Sequence, residues 1–211
     1  LGTFLSISSE IKGVEDLEMN TVNLQLPNSL GFSDETFIEL IAANPDLRCE
    51  FSADHELMIM SPTGRETGDR NLELAGQIWF WNRQKSLGKA FDSSTGFKLP
   101  NGAIRSPDIS WVKMERWNGL KLEEKKKFPP LCPDFVIELR SPTDDLADIQ
   151  AKMREYLDNG LLLGWLINPQ SQQVEIYQPN QPVEVLSSPT HLHGGKVLPG
   201  LVLDLQYIWS I

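Results

Sequence analysis

The chain reads as an α/β domain in which a central mixed β-sheet is flanked by helices. Three observations carry that reading. Apolar residues recur at helical spacing in three separate segments, and short runs rich in β-branched and aromatic residues lie between them. Glycine, proline or asparagine stands at most of the junctions. The order is helix, hairpin, helix, three strands, helix, two strands, which needs helices to cover a sheet. With 211 residues, 40% of them hydrophobic and 23% charged, the length and composition fit one soluble domain with a substantial core.

Residues 1–32 are polar and without clear period, so they read as an N-terminal arm or lead-in to a domain spanning 33–211. Ser33 caps the first helix, with Asp34 and Glu35 in its first turn and Phe37, Leu40 and Ile41 on one face. Arg48–Phe51 and Glu56–Met60 form a hairpin around Ser52-Ala53-Asp54-His55. Ser61-Pro62-Thr63-Gly64 breaks the chain, and Leu72–Lys85 is a second helix with Leu74, Ala75, Ile78 and Trp81 inward. Strands follow at Ala90–Leu99, Ile104–Val112 and Phe135–Leu139, the first two joined by Pro100-Asn101-Gly102. The charged insert Lys113–Leu131 is expected to be exposed. A third helix starts near Thr143 or Asp144 and stops at Asn159-Gly160. Leu161–Ile167 and Val174–Tyr177 pair across Asn168-Pro169-Gln170.

No apolar run approaches the roughly 20 residues of a membrane span, and the start lacks a basic-then-apolar signal. Cys49 and Cys132 have no metal-type spacing, so buried thiols in a reduced, cytoplasmic protein are expected. A net charge of −10 argues at first against a nucleic-acid partner, since phosphate binding usually wants a basic face. Its distribution weakens the objection. Residues 1–47 hold eight acids against Lys12 alone, which leaves −3 for the remainder, and Lys113–Lys127 carries six bases against three acids. A metal-dependent nuclease also has an acidic centre that its ion neutralises.

Two stretches carry the chemistry, Ile104–Val112 and Pro133–Arg140. Each places a carboxylate, Asp108 or Glu138, among apolar neighbours. A carboxylate in a buried strand is costly unless a cation or donor stands beside it. Two acids on adjacent strands, each near basic residues, point to a divalent-metal site for phosphodiester hydrolysis. A hard ion such as Mg²⁺ takes one or two carboxylates plus waters and substrate oxygens. Strand alternation lets the Leu139 carbonyl face the same ion. On the third helix Lys152 lies roughly 40° from Tyr156, at the edge of the apolar face. Its ammonium either snorkels to water or reaches the carboxylates. Arg140 can supply electrostatic help but is a poor proton acceptor. Asp134 reads as a strand-start acid, and the loop histidines His55, His191 and His193 as solvated. No serine-hydrolase motif is present.

An Asp after proline on one strand and Glu-x-basic on the next resemble the PD-(D/E)xK nuclease core. Pro133–Pro142 followed by Asp148, Lys152, Tyr156, Gly160, Trp165 and Asn168-Pro169 resembles the Uma-two family of candidate restriction endonucleases, abundant in cyanobacteria. Arg48-Cys49-Glu50-Phe51 with Glu56-Leu57 is similar to that family's first hairpin, and Leu201–Trp209 to its closing segment. The resemblance covers about residues 33–210. It implies a restriction-endonuclease-like fold with Asp108 and Glu138 as metal ligands for Mg²⁺ or Mn²⁺. Arg140 stands where that pattern has lysine, which makes Lys152 the candidate for a displaced catalytic lysine. Glu50 is either the extra acid of such nucleases or a surface hairpin acid. The expected activity is metal-dependent DNA cleavage by a homodimer, since cutting both strands needs two sites. The alternative is a nuclease-fold protein without catalysis that binds nucleic acid or a protein partner.

Overall fold

The computed structural model describes residues 22–27, 33–54 and 56–210. Its strands are β1 (Val22–Gln25), β2 (Arg48–Phe51), β3 (Glu56–Met60), β4 (Gly88–Asp92), β5 (Phe97–Lys98), β6 (Ile104–Arg105) and β7 (Ile109–Lys113). They continue as β8 (Phe135–Leu139), β9 (Leu163–Asn168), β10 (Gln173–Tyr177), β11 (Glu184–Ser187), β12 (His191–His193) and β13 (Val202–Asp204). The helices are α1 (Asp34–Ala43), α2 (Arg65–Lys85), α3 (Met114–Gly119), α4 (Leu122–Lys125), α5 (Leu146–Asp158) and α6 (Gln206–Ser210).

The main sheet runs β11-β10-β9-β8-β7-β4. Its pairs are antiparallel except β8 with β9, which is parallel, so the sheet is mixed. A parallel pair needs a crossover, and α5 supplies it. Side-chain alternation divides the core between the two faces of this sheet. Ile109, Trp111, Phe135 and Ile137 meet Leu74, Ile78 and Trp81 of α2 on one side. Val112, Val136 and Leu166 meet Met153 and Tyr156 of α5 on the other. Gly164 on β9 sets how closely α5 lies, since a Cβ there would come within 2.5 Å of Met153 Cε. Lys152 is the neighbour of that methionine, so this packing also fixes the lysine.

A smaller sheet, β1-β3-β2-β6-β5, packs under α1, with Phe37, Phe51, Leu57 and Ile104 in a third core cluster. Ser33 caps α1 as expected, its hydroxyl accepting from Thr36 N at 3.3 Å. The chain passes from this sheet to the main one between β6 and β7. The single strand expected over 104–112 is therefore two. Pro107 has no N–H to donate and stands at the break, freeing Asp108 from the ladder. The strand expected over 90–99 is likewise split into β4 and β5, which lie in different sheets. There the Asp92 carboxylate accepts from Ser94 N and Oγ and turns the chain.

Other boundaries also move. α2 begins at Arg65 rather than Leu72, and α5 begins at Leu146 under Asp145, whose carboxylate accepts from Ala147 N at 2.7 Å. The charged insert is not wholly exposed. It folds into α3 and α4, with Trp117 and Leu120 against the core and Leu131 buried. The expected lead-in lies mostly outside the described residues, as does His55, but Val22–Gln25 pair with β3.

Candidate active site

Glu50, Asp108 and Glu138 converge where the two sheets meet. Glu50 comes from β2, Asp108 from the loop entering β7, and Glu138 from the penultimate position of β8. Glu138 has even parity with Val136, so its side chain emerges on the α5 face. There α5 presents Lys152, Glu155 and Tyr156, spaced i, i+3 and i+4 and therefore on one stripe.

Lys152 Nζ lies 2.8 Å from Glu50 Oε1 and 3.0 Å from Glu138 Oε1, joining the acids of the two sheets. The lysine does not snorkel to water, its side chain being only 17% exposed. Tyr156 OH donates to Glu138 Oε1 at 2.9 Å. Glu50 is fully engaged: Oε1 also accepts from Ser106 N at 2.8 Å, and Oε2 pairs with Arg105 Nη1 at 3.2 Å. The Arg105 guanidinium uses its Nε for Glu155 Oε2 at 2.6 Å. Asp108 is anchored differently, with Oδ2 accepting from Leu139 N at 2.8 Å and Oδ1 from Asn71 Nδ2 at 3.5 Å. Arg140 is directed elsewhere: its Nε and Nη2 both donate to the Asp144 carbonyl at 3.2 Å. Asp134 proves to be a structural acid, holding Lys113 N at 2.7 Å and Arg116 Nη1 at 2.9 Å.

Charge in this cluster is unbalanced. Glu50, Asp108, Glu138 and Glu155 face Lys152 and Arg105, four acids against two bases. The titration behaviour follows. Burial pushes the Glu138 carboxyl up to about 8, helped by Asp108 and Glu50 and opposed by Lys152. Burial also raises Asp108, against the Leu139 N–H. Glu50 goes the other way despite its burial, because Lys152 and Arg105 hold it below the usual carboxylate range. Burial works against the Lys152 ammonium, but Glu138 and Glu50 outweigh it and raise its pKa.

Two features of the surroundings of Asp108 bear on whether a divalent cation would suit this site. The available donors are carboxylate and carbonyl oxygens, which suit a hard ion. Among the described residues, the buried side-chain polar atoms without a partner are Asn71 Oδ1 and Ser110 Oγ. Both belong to neighbours of Asp108, one through its amide and the other two residues along the strand. No group of three or more His, Cys, Asp and Glu side chains is placed to hold an ion among the described residues. That agrees with Glu50 being engaged by Lys152 and Arg105.

Sequence reasoning gave Arg105, Tyr156, Glu155 and Asn71 no role in the site. Arg105 was detectable in principle, since an arginine inside a strand requires an acid. Tyr156 is legible as an inward position and as part of the family resemblance but not as a partner of Glu138, and Asn71 lies before the expected start of its helix.

Two layers of helix around a mixed sheet, with paired acids at the strand ends and a lysine reaching them from the crossover helix, define a restriction-endonuclease-like protein. A solved structure from Anabaena variabilis, titled a "putative nuclease belonging to DUF820", superposes with a TM-score of 0.69 at 22% identity. The match covers 85% of this chain and 98% of that one. The chain belongs to the Uma2 family, described as "Putative restriction endonuclease", whose model matches residues 34–206. No curated protein matches the chain.

Proposed function

We propose that the protein is a metal-dependent endonuclease hydrolysing phosphodiester bonds in DNA. The observation that carries this reading is the Lys152 ammonium between Glu50 and Glu138 in a buried cluster short of positive charge. Asp108, Glu138 and the Leu139 carbonyl would hold Mg²⁺ or Mn²⁺. The Leu139 N–H already meets Asp108, and in an extended strand the carbonyl of the same residue leaves on the same edge. Such an ion lowers the pKa of bound water and offsets charge growing on the phosphate.

The chain's own residues divide the remaining work. Lys152 stays protonated beside two acids, so it serves as a donor and electrostatic stabiliser, not as a proton acceptor. It orients the attacking water and faces the developing charge. Glu50, itself held by Arg105 and Ser106 N, positions Lys152. Tyr156 fixes the orientation of Glu138. Cleavage of both duplex strands requires two such sites, hence a homodimer. No helix among the described residues is long and apolar enough to cross a membrane. The buried free thiols of Cys49 and Cys132 suit a reducing cytoplasm.

One observation favours a second reading, a nuclease fold that binds without cutting. Arg140 occupies the position of the usual lysine, and its guanidinium is committed to the Asp144 carbonyl. A nicking assay on supercoiled plasmid separates the two. The nuclease reading expects relaxation with Mg²⁺ or Mn²⁺, stopped by EDTA and lost in Asp108→Ala. Binding without cleavage across metals and substrates supports the second reading.

A further inference from the structure

We propose that the outward face of α2 is the interface through which two copies of this chain pair. That helix buries Thr67, Arg70, Leu74, Ile78 and Trp81, the last three against the main sheet. Its opposite stripe exposes three large apolar side chains among the charged Asp69, Glu73 and Arg83. Leu72 is 73% exposed, Trp79 58% and Phe80 59%. Those three side chains offer about 400 Å² of apolar surface, within the size range of functional patches on soluble proteins. This is roughly half of what one partner contributes to a stable interface of ordinary size.

The arrangement is self-complementary about Gly76. Leu72 and Phe80 stand four residues to either side of it, so a two-fold axis at Gly76 sets Leu72 of one copy against Phe80 of the other. Isologous pairing requires that kind of matching. Beside Phe80 opens a groove of about 300 Å³, lined by Gln77, Gln84, Leu201 and Val202 among others. Asp69 and Arg83 stand seven residues to either side of the same axis, so opposite charges meet at the rim. Gly76 itself has no explanation within one copy. It lies mid-helix, where glycine weakens the helix, and an added Cβ would meet nothing within 4 Å. At a helix crossing, a missing side chain lets two backbones approach closely.

The proposal supplies the two-copy arrangement that duplex cutting needs, but it stands on α2 and does not require catalysis. Sedimentation of the full chain should give twice the 23.8 kDa monomer mass at micromolar concentration. Leu72→Glu and Phe80→Glu should each weaken dimerisation about tenfold or more, with an unchanged circular dichroism spectrum. Gly76→Cys should form a disulfide-linked dimer on mild oxidation, since residues at a two-fold crossing come within disulfide reach. Cys49 and Cys132 are buried and do not compete. A monomer at all concentrations would overturn the proposal. A dimer indifferent to both glutamates, or one that Gly76→Cys fails to link, would do the same. Loss of cleavage with the dimer intact would count against the nuclease reading alone.

Discussion

Glu138 titrates near 4.5 when unfolded and at about 8 when folded, with burial as the largest cause. Between those values the folded protein keeps a proton that the unfolded chain has released. The stabilisation is therefore complete below about pH 4.5 and is lost as pH rises toward 8. Asp108 is raised in the same sense, whereas Glu50, held low, loses its contribution only as pH falls. Metal-free protein should accordingly become less stable between about pH 5 and 8 in urea titrations, and Glu138→Gln should flatten that slope. A slope unchanged in the variant would remove Glu138 as its source. The Arg105–Glu50 pair makes a second demand at this scale. Both side chains are nearly inaccessible, at 10% and 3%. Breaking such a pair strands a buried charge, so Arg105→Ala should cost about 3 kcal/mol. The melting temperature should fall by roughly 6–12 °C. Lys152→Ala should slow cleavage about 10²-fold, and Arg140→Ala less, in single-turnover assays. Wild-type rates in Lys152→Ala would refute its proposed role.

Elements explain why these side chains meet. α5 carries Lys152, Glu155 and Tyr156 on one stripe, and its parallel crossover from β8 to β9 sets that stripe over Glu138. The wheel made Lys152 legible as an edge residue, and acids among apolar strand residues made Asp108 and Glu138 legible. The Arg105 fork was not legible, because it joins Glu50 and Glu155 across 55 and 50 positions of sequence. The breaks after β4 and β6 were missed for a related reason. Local composition continues through them, while a turn at Asp92 and the absent N–H of Pro107 redirect the chain between sheets. At the opposite edge, Gly88 in β4 is required by close approach. A Cβ there would run into the Val112 carbonyl and the Trp111 ring. Gly88→Ala should destabilise by about 2 kcal/mol, since the carbonyl belongs to a sheet backbone that yields little. Thermal unfolding equal to wild type would show that β4 can shift outward.

At the scale of the whole molecule, an acidic protein of net charge −10 is here proposed to act on a polyanion. The conflict eases if the excess of buried carboxylates is the ion site and exposed bases elsewhere face the phosphates. Lys113, Lys121, Lys126 and Lys127, in and around α3 and α4, are exposed bases of that kind. DNA affinity should then fall steeply with salt. A flat salt profile would argue for a different partner. The mixed α/β class was legible from order and periodicity, because the crossover helix and the strand runs are strongly patterned. Division into two sheets was not, since it depends on which strands pair over long separations.

The central claim is that Asp108 and Glu138 together hold a divalent ion, and calorimetric titration tests it free of any contaminating nuclease. Mn²⁺ added to the metal-free protein should bind with one ion per chain, more tightly at about pH 8 than at pH 6, because Glu138 must release its proton. Asp108→Ala and Glu138→Ala should each abolish that binding, while Arg140→Ala should leave it in place. Undiminished binding in both acid variants would contradict the account and locate the ion elsewhere.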